Sequence, residues 1–237
     1  MGIRQQAPLC NKIVGALHAS ILFYVAIRCY LTKGFDLRAE RLLETPPMEH
    51  LMVGFMLVYL CYDTFFLLWR RFVLQEMVGV KESWSLFEHT LAVVHHFFGF
   101  ISWFLIYSGT GGVYWAQFIH LAEFSTIIFN VRWIIINEGV SSGPVYTVTS
   151  GLFLASFFFS RIPTTAVLLY YMFQGIEQWP SLATAWFHFF VAFGYWCSNL
   201  FVVFSFWCAN GTKWTWFTAE ITSDDRDRSG QRRGKRL

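Results

Sequence analysis

Charge is scarce in this chain. Asp, Glu, Lys and Arg make up 14% of its 237 residues, where soluble domains approach a quarter. Set against 55% hydrophobic content, that shortage excludes an ordinary water-soluble domain and puts the chain in a bilayer. Cysteine is sparse too: five residues, at positions 10, 29, 61, 197 and 208. None forms a CxxC pair, which leaves packed thiols as the expectation and no zinc site. The seven histidines lack any partner at i+3 or i+4, so the HxxxH boxes of membrane di-iron enzymes are absent. His89 and His96 are two turns apart, about 10 Å, too far to chelate one ion unaided. We therefore expect no metal and no resident cofactor. Internal repeats, a second soluble domain and the alternation of a β-barrel are missing as well. The first apolar run has no small-residue cleavage site, and Gln6 stands where a myristoylation signal needs Ser or Thr.

What the chain does have is six apolar runs near the length of about 20 residues that crosses a bilayer: 13–31, 50–74, 87–107, 113–136, 145–173 and 183–209. Turn-forming stretches at 108–112 and 141–144 bound the fourth and fifth. Backbone polar groups cannot stay unpaired in lipid, so these runs predict an all-α membrane protein, a six-helix bundle over residues 13–209. A short segment, 1–12, precedes it, and a basic, charged tail, 210–237, follows. Arg4, Lys12, Arg70, Arg71, Lys81 and the seven basic residues of the tail fall on one side. By the positive-inside rule both termini face the cytosol, which would leave the Asn210 sequon silent. Tryptophans 69, 103, 115, 133, 179, 186, 214 and 216 are expected in interfacial belts, and the Phe run at 157–159 facing lipid or core.

Ionisable groups inside a bilayer cost roughly 2.5–3.5 kcal/mol each at a helix centre, so each is a candidate for function. Asp63 lies in the second run; His89, His95 and His96 in the third; His120, Glu123, Asn130 and Arg132 in the fourth; Arg161 in the fifth; His188 and Asn199 in the sixth. Helical spacing sorts them. His188, Tyr195 and Asn199 form one stripe, and Glu123, Thr126 and Asn130 share a face, with Ser125 and Arg132 nearly opposite. His95 is rotated by about 100° from His96, so the adjacent imidazoles must face different neighbours. Asp63, Glu123, Arg132 and Arg161 are expected to pair across the bundle, because an isolated charge in low dielectric would neutralise instead. Imidazole is the side chain best suited to moving protons near neutral pH.

In order, Tyr62-Asp63, His95-His96, the series Glu123, Ser125, Thr126, Asn130 and Arg132, then Arg161 and Tyr195-Trp196 resemble the TLC domain, shared by TRAM, Lag1 and CLN8 proteins. The likeness runs from about residue 48 to 210. It implies a six-helix membrane barrel around a hydrophobic cavity for a lipid chain, usually in the endoplasmic reticulum. The ceramide synthases of this family transfer an acyl group from acyl-CoA to a sphingoid amine. Carried over, that role makes His95, His96 and Glu123 the catalytic candidates, and Asp63, Thr126, Asn130, Arg132, Arg161, Tyr195 and Asn199 the substrate-binding ones. Acyl-CoA would be the co-substrate, and membrane lipids or a sphingoid base the partners. The acidic segment of those synthases is reduced here to Glu123, so the chain is more similar to family members assigned to membrane-lipid homeostasis. A ceramide synthase-like N-acyltransferase and a non-catalytic lipid sensor are the alternatives.

Overall fold

A computed structural model describes residues 3–34, 44–74, 86–140 and 142–209 of the protein. Its helices are α1 (Ile3–Lys33), α2 (Pro47–Trp69), α3 (Leu86–Leu105), α4 (Val113–His120), α5 (Glu123–Asn137), α6 (Gly143–Gln174) and α7 (Leu182–Ala209). No strand occurs among the described residues. Short π-helical turns, Arg70–Leu74 and Ile106–Thr110, extend α2 and α3. Six stretches are long and apolar enough to cross a membrane: Pro8–Lys33, Pro47–Val73, Ala92–Thr110, Val113–Asn137, Gly143–Gln174 and Leu182–Phe204. The basic tail and the Asn210 sequon lie outside the described residues.

The turn expected at 108–112 forms, with Gly109, Gly111 and Gly112 at φ of 94°, 93° and 88°, a region that strains any residue carrying a Cβ. At Gly112 a Cβ would also stand 3.3 Å from the Trp179 ring. The fourth crossing departs from expectation. It is two helices, because the chain tightens at Leu121 and Ala122 into i→i+3 hydrogen bonds: Ala122 N–H to Ile119 O and Ser125 N–H to Ala122 O. Ala122 O also accepts from the hydroxyls of Ser125 and Ser160. The hydroxyls add to the i→i+3 bond that Ala122 O already accepts, so the break forms without a Gly or Pro to mark it.

Contacts between helices run α1–α2, α2–α3, α3–α7, α7–α6, α6–α5 and α5–α1, which closes a ring of six crossings. α4 touches α1, α2 and α6 and is buried on every side: Val113, Tyr114, Trp115, Ala116, Gln117, Phe118 and His120 are all buried. A helix apolar around most of its circumference is stable only inside a structure. α4 therefore plugs one half of the ring, here called the far half; the near end is where α1 begins. Both apolar clusters lie in the far half. One joins Tyr30, Trp115, Leu168 and Trp179, and the other joins Leu22, Val53, Leu60 and Trp103.

The plug overturns two expectations. Trp103, Trp115 and Trp179 are buried core residues rather than belt residues, because α4 gives them a wall to pack against inside the ring. Of the cysteines, Cys29 alone is a buried thiol among those described; Cys10, Cys61 and Cys197 face outward. Phe158 and Phe159 point out of the ring, as the run at 157–159 allowed.

Candidate functional site inside the near half of the ring

The near half holds what the plug does not fill, and all six crossings send polar side chains into it. From α2, Asp63 Oδ2 stands 3.6 Å from His96 Nε2, and Thr64 Oγ1 lies 3.2 Å from His96 Nδ1. Asn11 of α1 donates to Asp63 Oδ1 at 3.3 Å. Thr64 holds Nδ1, and Nε2 faces the Asp63 carboxyl just beyond hydrogen-bond reach, so the ring of His96 is turned toward α2.

His95 is disposed differently. It turns toward α7, its ring 6.0 Å from that of Tyr195 and inclined by 20°, and it is exposed between the helices. The 100° rotation between adjacent helical positions thus gives each imidazole its own neighbour. His96 is held, and His95 keeps both ring nitrogens open to a ligand.

Behind Tyr195 sits Arg161 of α6. Its Nε donates to Ser125 Oγ at 2.7 Å, Nη2 to Thr126 Oγ1 at 2.8 Å and Nη1 to Tyr195 Oη at 2.5 Å. Glu123 lies in the vicinity of Thr126 and Arg161. Hydroxyls are suited to this position because each accepts from the guanidinium while still offering its own proton. Ser125 passes its proton to Ala122 O. Ser125 and Thr126 are adjacent on α5, and the branched guanidinium of Arg161 spans both. Two residues beyond Arg161, Pro163 removes a helical N–H and loosens the α6 ladder.

Seven of the ten residues proposed from sequence therefore meet: His95, His96, Glu123, Asp63, Thr126, Arg161 and Tyr195. The remaining three do not join them. Asn130 is buried one turn on, at Gly15, where a Cβ would stand 3.1 Å from both Asn130 Nδ2 and Tyr59 Oη. Asn199 donates to Tyr195 O of its own helix at 2.9 Å. Arg132 faces away from the cluster, toward Ser150 and Tyr146 of α6. The four charges do not pair among themselves as expected: Asp63 faces His96 instead, Arg161 is bonded to hydroxyls with Glu123 in its vicinity, and Arg132 meets hydroxyls and no acid among the described residues, because its face of α5 turns to the start of α6.

Sequence reasoning overlooked Asn11 and Thr64, although Thr64 directly follows Asp63. Of a second polar layer it named His120 and His188 but not Ser102 or Gln117. Ser102 lies seven residues from His95, and His188 seven from Tyr195, about 10 Å toward the far end. Ser102 Oγ and His188 Nδ1 are 2.7 Å apart. In the same layer His120, 0% exposed, stacks on Trp103. Gln117 donates its amide to Glu49 O and Val113 O, so its Oε1 accepts from His120 Nδ1 at 3.1 Å. A heptad repeat of polar residues along α3 and α7 was the available signal.

An apolar groove of about 490 Å³ runs between α6 and α7, lined by Ala166, Leu169, Tyr170, Phe173, Phe193 and Trp196 among others. The expected cavity floor of His95, His96 and Glu123 is not part of its lining. The groove instead abuts the cluster from outside, through Trp196, which follows Tyr195 and donates its indole N–H to Ile162 O at 3.2 Å. No group of three or more His, Cys, Asp or Glu among the described residues is placed to hold a metal ion.

Six crossings in a closed ring, with a charged and imidazole-bearing centre, define a multi-pass membrane protein. The sequence matches the family model of the TLC domain over residues 9–218, and the chain belongs to that family. No curated protein and no solved structure matches it.

Proposed function

We propose that the protein holds a membrane lipid with its acyl chain along the far half of the ring and its reactive end at the polar centre of the near half, and adjusts membrane lipid composition by acyl transfer. The observation that carries this is the unequal treatment of the two histidines. His96 is hydrogen-bonded to Thr64 and faces the Asp63 carboxyl, while His95 is exposed beside the Tyr195–Arg161–Glu123 group. An imidazole with an open nitrogen next to a fixed cation suits general-base work. In this reading His95 takes the proton of an attacking hydroxyl or amine as it bonds to the acyl carbon of acyl-CoA. It returns that proton to the departing thiolate. Arg161, through the Tyr195 hydroxyl, stabilises the negative charge that develops on the acyl oxygen. The α6–α7 groove, whose walls are apolar and whose inner end is Trp196, suits an acyl tail. A reticulum location with both termini cytosolic goes with this reading.

Lipid profiling of cells expressing wild type, His95→Ala and His96→Ala tests it. Loss of the wild-type change in lipid composition with His95→Ala, and partial loss with His96→Ala, is the expected result. A profile that His95→Ala leaves at the wild-type pattern, with protein level maintained, defeats the catalytic reading.

A further inference from the structure

Arg132 is the one strongly buried cation that the polar centre does not use. It is 4% exposed, and its donors are only partly engaged. Nε donates to Ser150 Oγ at 2.9 Å and Nη2 to Tyr146 Oη at 3.4 Å, while Nη1 has no partner among the described residues. Its guanidinium also lies over the Tyr146 ring, 5.3 Å from the centroid. A guanidinium carries five N–H donors and cannot lose its charge in a protein, so this one is held positive with no carboxylate bonded to it among the described residues.

The two hydroxyls sharpen the point. Ser150 and Tyr146 each accept from Arg132, and neither donates to any described group. Their O–H protons and the idle N–H groups of Arg132 form a set of donors with no acceptor. Ser125 at Arg161 is the contrast, since its proton goes to Ala122 O and Glu123 lies in the vicinity. The Arg132 group has the donors of such a network and lacks the anion.

Its position says what the anion is. Arg132 is five residues from the end of α5 at Asn137, about 7.5 Å from the near end, at the depth where the hydrocarbon gives way to headgroups. Tyr146 and Ser150 occupy the first two turns of α6, whose N-cap, Ser142, makes no capping hydrogen bond. The exposed N–H groups and positive dipole end of that helix favour an anion at the same place.

We propose that Arg132, Ser150 and Tyr146 form a phosphate site at the near end of the α5–α6 interface, taking the phosphate ester of a membrane lipid headgroup. A guanidinium fork with two flanking hydroxyl donors matches the several acceptor oxygens of a phosphate. Coenzyme A carries the same phosphate chemistry in soluble form, so the experiment separates the two sources.

The full-length protein in detergent is titrated with phosphatidic acid, with diacylglycerol of the same chains, and with coenzyme A, and its melting temperature is followed. Phosphatidic acid is expected to raise Tm where diacylglycerol does not. Arg132→Gln should weaken the apparent affinity at least about tenfold, and the double variant Ser150→Ala, Tyr146→Phe several-fold. The double variant leaves the cation in place and decides the matter if Arg132→Gln fails to fold. A rise with coenzyme A alone keeps the phosphate site and assigns it to a soluble ester. Equal response to phosphatidic acid and diacylglycerol without a response to coenzyme A overturns the site, as does a full phosphate response in the double variant.

Discussion

Two arginines are bonded to hydroxyl side chains in this molecule, and they differ in what stands behind the hydroxyls. Arg161 meets Ser125, Thr126 and Tyr195, with Glu123 in the vicinity. Arg132 meets Ser150 and Tyr146, and no carboxylate follows. The first arrangement is neutral overall and complete within the protein; the second is charged and incomplete. A buried cation with its own anion belongs to the architecture, whereas one held by neutral hydroxyls alone is organised to receive an anion from elsewhere.

The sharpest way to break this comparison is Arg161→Met. It strands the Glu123 carboxylate, and the loss should be about 3–5 kcal/mol, read as a large drop in detergent Tm; adding Glu123→Gln should recover much of it. Arg132→Met strands no acid, so its unliganded stability should change by less than about 1 kcal/mol. Equal losses at the two arginines would erase the distinction. Next in size is Gly15→Ala, whose Cβ would meet Asn130 and Tyr59 at 3.1 Å. Overpacking there should cost about 1–3 kcal/mol, measurable by the same melt. The finest discrimination comes from a matched pair of serines. Ser125→Ala breaks a charge-assisted bond inside the closed network and should cost about 1.5–3 kcal/mol. Ser150→Ala removes one of the two hydroxyls from the open group and should cost less, about 1 kcal/mol.

Much of the ring was legible in the sequence because lipid imposes its rules on every residue of a span. Runs of about 20 apolar residues and the glycines at 109, 111 and 112 gave the crossings and a sharp turn. The histidine pair could be divided between two neighbours from the 100° step alone, and the structure places His96 on α2 and His95 on α7. What escaped was set by tertiary packing. The break at 121–122 has no Gly or Pro to announce it, since it forms through i→i+3 bonds to which serine hydroxyls add. Trp103, Trp115 and Trp179 look like belt residues until α4 is known to sit inside the ring. Arg132 was grouped with the other charges because composition records that a charge is present and leaves open which way its helix face turns.

The ring order has a consequence for biosynthesis. Asp63, His96, Glu123 and Arg161 all belong to crossings that precede α7, and α7 adds Tyr195 and completes the wall against α3. During translation the polar centre is therefore assembled while one side still faces the lipid of the translocation site. A nascent chain halted before its last crossing presents that centre to the membrane, and the final helix acts as the closing stave that hides it.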